Sequence, residues 1–184
     1  GLLSERISDI LFLKKIHLLD ISQNMINKYK LKFENKNISV QQEDFDLYDN
    51  FVNYNLIVSN MSLHWSKNFL KLIKKILDNV VKDSIILISL PNSNSLNNLQ
   101  DSQRKFFNIF PDVNELKSVL NKGKSVYYIK EIEHQFNYKT LLDFLKDLKK
   151  VGANVSNKKS LPIKEILSLR SHKEKILAKF FVSY

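Results

Sequence analysis

Two aspartates, each closing a run that reads as a buried strand, are where this sequence first suggests chemistry. Asp20 ends Lys15-Ile16-His17-Leu18-Leu19-Asp20, and Asp44 follows Asn37-Ile38-Ser39-Val40-Gln41-Gln42-Glu43. In a doubly wound sheet ligands bind outside the carboxyl ends of the strands, where a carboxylate accepts charge-assisted hydrogen bonds from both hydroxyls of a ribose. Asp20 is placed for that task. An acid after the next strand can receive the amino group of an adenine, with the N–H of Phe45 beside it to meet a ring nitrogen, and Asp44 is the candidate. The same residues also suit structural duty: Asp20 precedes a helix whose positive end it complements, and Asp44 stands among Glu43, Asp46 and Asp49 as a loop acid. His64, beside Trp65 after the next apolar strand, is either close to a reacting group or part of a packed aromatic loop.

Positioning such residues takes alternating strands and helices. Apolar residues at 2, 3, 7, 10 and 11 predict a helix over residues 2–11. Residues 15–20 predict a strand, and Ser22 is suited to cap a helix carrying Met25, Ile26 and Tyr29. Residues 37–42 and 54–60 predict two more strands, the second nearly all apolar, as buried parallel strands are. Phe69, Leu72, Ile73, Ile76 and Val80 predict a helix from about residue 67, and residues 84–90 the next buried strand. The turn-rich break Pro91-Asn92-Ser93-Asn94-Ser95 precedes two amphipathic stretches, residues 96–107 and 113–120, read as a helical insertion. Residues 124–136 alternate as a long strand near a sheet edge, and Leu141, Leu142, Leu145 and Leu148 predict a helix ended by Gly152. A last helix near residues 163–169 leads into a terminal strand over 176–182.

Composition narrows the classes. The 184 residues, 43% hydrophobic and 11% aromatic, suit one α/β domain over residues 1–184 with a helical lid about residues 93–121. No apolar run approaches the ~18 residues of a membrane-spanning helix. Without cysteine there is no disulfide, no thiolate metal site and no cysteine nucleophile, and a reducing compartment is permitted. His17, His64, His134 and His172 lie on separate elements without the spacing that builds a metal site on a helix, so no metal is expected. Neither a Gly-x-Ser-x-Gly elbow nor a P-loop occurs. The net charge of +10 is uneven: residues 1–100 hold 12 basic and 10 acidic side chains, residues 101–184 hold 17 and 9. With 26 Lys against 3 Arg, specific DNA reading is disfavoured, because base readout relies on the planar arginine fork.

Taken together, Leu-Leu-Asp20-Ile-Ser-Gln-Asn-Met25, Gln42-Glu43-Asp44-Phe45 and Tyr54-Asn-Leu-Ile-Val-Ser-Asn60-Met-Ser-Leu-His64-Trp65 have the order and spacing that resemble class I S-adenosylmethionine-dependent methyltransferases. Within that superfamily, the stretch from Ser59 to Trp65 with Leu145-Lys-Asp-Leu-Lys-Lys-Val-Gly152-Ala153-Asn154 downstream resembles the malonyl-carrier-protein O-methyltransferases of biotin synthesis and the related mitochondrial complex I assembly factors. The resemblance spans almost the whole chain. It implies a Rossmann-like, three-layer α/β/α fold with a mostly parallel sheet and a terminal antiparallel hairpin formed by residues 124–136 and 175–184. It implies S-adenosyl-L-methionine as cofactor, held by Gly1, Asp20 with Ile21 at the ribose, Asp44 with Phe45 at the adenine, and Asn60 beside the methionine moiety.

The family carries a first strand and a glycine-rich loop ahead of the first helix. Here only Gly1 can be the last glycine of that loop, so the natural start is expected upstream. Val81-Lys82-Asp83-Ser84 replaces the usual Pro-Gly-Gly turn, and an Asp-Ser turn can substitute. The acceptor implied is the free carboxylate of a malonyl group on an acyl carrier protein in the cytoplasm, with no membrane partner. Such chemistry asks for alignment and desolvation more than for an acid/base pair, with His64 near the methyl group and Arg104 beside Lys105 as carboxylate-holding candidates or plain surface charges. The basic second half favours an acidic carrier protein by steering. The alternatives are an assembly-factor-like protein-arginine hydroxylase, a methyltransferase of another small molecule, or a non-catalytic interaction or RNA-binding domain.

Overall fold

The computed structural model describes residues 3, 6, 7, 13–32, 38–104, 107, 109–123, 126–150 and 175–183. The expected helices over 2–11 and near 163–169, and the Gly152 cap, fall largely or wholly outside these residues. The chain divides into two compact units, Gly1–Leu87 and Ile88–Tyr184.

In the first unit, β1 (Ile16–Asp20), α1 (Gln23–Lys32) and β2 (Ile38–Gln42) form a strand-helix-strand crossover. β1 and β2 pair in parallel from Ile16↔Ile38 to Asp20↔Gln42, and α1, with Ile26 buried, packs against both. The carbonyl of Ser22 accepts the first helical bonds, from the N–H groups of Met25 and Ile26. His17 on β1 lies against two aromatic rings, Tyr48 at 5.9 Å and Tyr54 at 5.8 Å, and its Nδ1 meets Ser39 Oγ at 2.8 Å. Burial pulls its pKa below the usual value, chiefly because a charged ring there loses water.

A short helical turn, Asn50–Asn53, leads to β3 (Leu56–Asn60), and a second, Leu63–Trp65, leads to α2 (Phe69–Asn79), which packs against both turns. Asn68 caps α2 by accepting the N–H of Lys71 at 3.1 Å. Phe69, Leu72, Ile73 and Ile76 make its buried stripe at i, i+3, i+4, i+7. Each such side chain contributes about 1.5–3 kcal/mol relative to exposure. The following turn places Asp83 at φ 65°, a left-handed conformation that aspartate tolerates better than most residues. β4 (Ile85–Pro91) opens beside β3, the N–H of Ile85 donating to Asn55 O at 2.8 Å, and the unit boundary runs through this strand.

In the second unit, β5 (Glu131–Tyr138) and β6 (Ile176–Ser183) pair antiparallel along their whole lengths, so the expected terminal hairpin of strands is present. The end of β4 joins β6 through Leu90↔Ser183 and Pro91↔Val182; proline fits this last ladder position because it has no N–H to contribute. The expected strand over 124–136 is shifted: β5 covers Glu131–Tyr138, and residues 126–130 carry no regular structure and lie outside the ladder. Among the described residues of the expected helix over 96–107, α3 (Asp101–Arg104) is the helical part, whereas α4 (Val113–Lys122) matches its expectation. The reason is local. Residues 92–99 are turns bonded to β6: Asn92 N donates to Phe181 O, Leu96 N donates to Lys179 O, and Ser95 Oγ accepts the N–H of Phe181. The fully buried Asn92 donates from Nδ2 to Ser183 Oγ at 2.9 Å and to the Glu131 carboxylate. Leu96, Leu99, Phe144 and Leu145 of the last described helix, α5 (Leu141–Lys150), pack with Ile176 and Ala178 into the core of this unit.

Candidate functional site

The carboxyl ends of β1 and β2 are tied to each other by two bonds: the N–H of Glu43 donates to Asp20 O at 3.1 Å, and Gln42 Nε2 donates to Ile21 O at 3.2 Å. Asp20 is half-buried there, and its Oδ1 accepts the N–H of Ser22 at 2.8 Å. Asp44 repeats the device, its Oδ1 accepting the N–H of Asp46 at 2.9 Å. Such side-chain turns fix each carboxylate through one oxygen. The Asp44 carbonyl also accepts from Leu47 and Tyr48, which closes the turn that carries the half-buried Phe45. Lys67 Nζ stands 3.8 Å from Asp44 Oδ2.

The residues that follow β1, β2 and β3 include exposed apolar side chains. Ile21 after β1 is 65% exposed, Leu47 after β2 67%, and Met61 after β3 40%. Met61 adopts φ 52°, and Ser59 Oγ meets Ser62 Oγ at 2.8 Å across this bend, leaving Asn60 exposed at the strand end. A non-glycine residue held in that conformation stores strain, and strain of this kind collects at functional sites. His64 lies in the following turn, its ring 4.9 Å from that of Trp65. Burial pushes its pKa down to about 4, so at neutral pH it is an uncharged ring that can exchange hydrogen bonds but supplies no positive charge.

In the first unit Asp20 and Asn60 end β1 and β3, Ile21 follows β1, Asp44 and Phe45 follow β2, and His64 lies in the turn after β3. Arg104 is exposed at the end of α3 in the second unit, while Gly1 and Lys105 lie outside the described residues. Among the described residues no group of three or more His, Asp or Glu is arranged to hold a metal ion. None of their helices is long and apolar enough to cross a membrane. Reasoning from sequence missed Ser66, Lys67 and Asp46, whose contacts span twenty residues or more; only the density of acids after β2 hinted at that turn's importance.

The model of the methyltransferase-domain family matches residues 1–157. The chain belongs to that family. Among curated relatives, the malonyl-[acyl-carrier protein] O-methyltransferase 2 of Ilyobacter polytropus is 31% identical over 170 residues, covering 88% of this chain and 65% of the relative. The corresponding Bacillus anthracis enzyme is 23% identical, covering 87% and 64%. This methyltransferase-domain chain thus spans a little under two thirds of the length of these relatives. Among solved structures, a Bacillus halodurans C-125 protein described as a methyltransferase superposes with a TM-score of 0.68 at 10% identity, over 100% of this chain and 85% of that one. The plantazolicin methyltransferase, solved with S-adenosylhomocysteine, gives 0.52 at 15% identity, over 99% and 71%. At such identities the likeness establishes the fold, the Rossmann-like α/β architecture that the sequence resemblance implied.

The donor set in the first unit fits S-adenosylmethionine. Asp20 and Asp44 are carboxylates each anchored by one main-chain N–H, Asp44 also with Lys67 Nζ at 3.8 Å; such acceptors suit a ribose diol and an exocyclic amine, and exposed Ile21, Leu47 and Met61 offer apolar surface.

Proposed function

We propose that the chain is the S-adenosylmethionine-dependent catalytic domain of an O-methyltransferase acting on the free carboxylate of a malonyl group held on an acyl carrier protein. The observation that carries the cofactor reading is the pair Asp20 and Asp44, one at and one just beyond the carboxyl ends of parallel neighbours β1 and β2, in a chain of the methyltransferase-domain family. The names of the Ilyobacter polytropus and Bacillus anthracis relatives support the acceptor.

In this reading Asp20 accepts from the ribose hydroxyls, with Ile21 against the sugar and base, and Asp44 accepts from the adenine amine beside Phe45. Asn60 borders the methionine moiety, and Gly1, as the last glycine of the family's loop, is a further cofactor-binding candidate. When bound, the cofactor supplies an already activated sulfonium methyl, so an ionised carboxylate needs no base to attack it. What remains for the chain is alignment and exclusion of water. His64, uncharged at neutral pH, can donate one hydrogen bond to the acceptor carboxylate without adding a charge that would trap it. Arg104 and the basic surplus of residues 101–184 draw an acidic carrier protein toward the enzyme by long-range attraction.

Two measurements on the full-length protein test this. Isothermal titration with S-adenosylhomocysteine should show saturable binding, and its absence overturns the cofactor reading. Incubation with S-adenosylmethionine and malonyl-carrier protein should add the mass of one methyl group to the malonyl arm. Cofactor binding without that gain overturns the acceptor.

A further inference from the structure

Asp46 touches none of the atoms assigned above to the cofactor, yet its polar groups link the segments that follow β2 and β3. Its Oδ1 accepts Ser66 Oγ at 2.5 Å and its Oδ2 accepts the N–H of Lys67 at 2.9 Å. Its own N–H is the donor that fixes Asp44, and its carbonyl accepts Lys75 Nζ at 3.0 Å. Lys75 in turn holds Asp49, 2.6 Å away, at the far end of the same turn. On the other side Ser66 closes the turn carrying His64, its N–H donating to Leu63 O, and its Oγ accepts the N–H of Asn68. One carboxylate thus ties the turn of Asp44 to the segment of His64. The ammonium of Lys67, whose main chain it binds, stands 3.8 Å from Asp44 Oδ2.

We propose that Asp46 is a positioning residue of the cofactor site, a clasp between the turn after β2 and the segment after β3 that holds the Asp44 carboxylate in its binding orientation. This rests on the reading of Asp44 as the adenine-amine acceptor. Both segments are surface connections, and left independent each would have to be ordered when the ligand arrives; ordering them beforehand strengthens binding without any new ligand contact. The rival account is that Asp46 merely supports the start of α2 and affects the site only through general stability.

The test is the affinity of S-adenosylhomocysteine, by isothermal titration, for full-length protein carrying Asp46→Ala, Asp46→Asn, Asp44→Ala and the pair Asp44→Ala with Asp46→Ala. Asp46→Ala should weaken binding about tenfold, equivalent to about 1.4 kcal/mol. Asp46→Asn, which can accept from Lys67 N and donate to Ser66 Oγ, should stay within about threefold of the parent protein. In the Asp44→Ala background the loss on adding Asp46→Ala should shrink to under about twofold, because coupled residues are not additive. Unchanged affinity in Asp46→Ala, or the same loss in both backgrounds, overturns the proposal. If Asp44→Ala alone binds like the parent, the reading of Asp44 fails and takes the clasp with it, whereas a weak Asp44→Ala beside a normal Asp46→Ala removes only the clasp. Should Asp46→Ala not fold, Ser66→Ala breaks one of the two bonds and is judged by the same comparison, with about a threefold loss expected.

Discussion

Replacing Asp20 separates a structural hydrogen bond from a binding one. In the free protein its carboxylate accepts the N–H of Ser22 at 2.8 Å just before α1 begins. Losing that bond at a half-exposed site costs about 0.5–1.5 kcal/mol of stability. On the binding side, a carboxylate taking two ribose hydroxyls makes bonds worth about 1.5–3 kcal/mol each before competition with water is discounted. A tenfold to hundredfold loss of S-adenosylhomocysteine affinity, about 1.4–2.8 kcal/mol, is therefore expected for Asp20→Ala. Asp20→Asn keeps an oxygen for Ser22 but lacks the charge and the second acceptor, so it should melt close to the parent protein and still bind at least about fivefold more weakly. Asp78→Ala, at an exposed position on α2, is the control and should change neither. Titration calorimetry and thermal melting of the three variants give the answer. Affinity unchanged in both Asp20 variants, or lost equally in Asp78→Ala, would refute the assignment of the ribose end.

Two further outcomes follow from packing and burial. The proton affinity of His64 lies at about 4 in the folded chain, below its ordinary value of 6.5, so the unfolded chain takes up the proton first. Its contribution to stability is thus present above 6.5 and lost as pH falls toward 4, by about 1–3 kcal/mol after allowing for its partial exposure; His64→Leu should flatten that part of the stability–pH curve measured by urea unfolding. Phe144, 0% exposed, packs its ring 4.9 Å from Tyr138, 5.3 Å from Phe107 and 6.0 Å from Phe180, and Phe144→Ala should cost about 3–5 kcal/mol in the same assay.

The strand ends that carry the site were legible because their signals are local. β1, β2 and β3 are short apolar runs closed by polar residues, and Asp20 and Asn60 end two of them where the sequence suggested. What stayed hidden depends on partners far along the chain. Residues 126–130 alternate as a strand does, but among the described residues the ladder runs from Glu131↔Ser183 to Tyr138↔Ile176 and does not include them. The apolar spacing of residues 96–107 looks helical, yet buried Asn92 and Ser95 bind the start of this stretch to β6, and Leu96 at φ 61° cannot continue a right-handed helix. The clasp at Asp46 was invisible for the same reason, since Ser66 and Lys67 lie twenty and twenty-one residues away.

Buried Asn92 also bears on how this asparagine-rich chain ages. An asparagine is lost when the next main-chain nitrogen attacks its side-chain carbonyl carbon and closes a cyclic imide. At Asn92 that nitrogen, on Ser93, is donating to Pro111 O at 2.9 Å, while Oδ1 accepts the N–H of Asn94 at 2.9 Å. Attack requires giving up both of these bonds, and turning the side chain also gives up the bond from Nδ2 to Ser183 Oγ of β6. Of 20 asparagines, this one is held against the slow chemistry of storage, and acid should accumulate first at those on exposed turns.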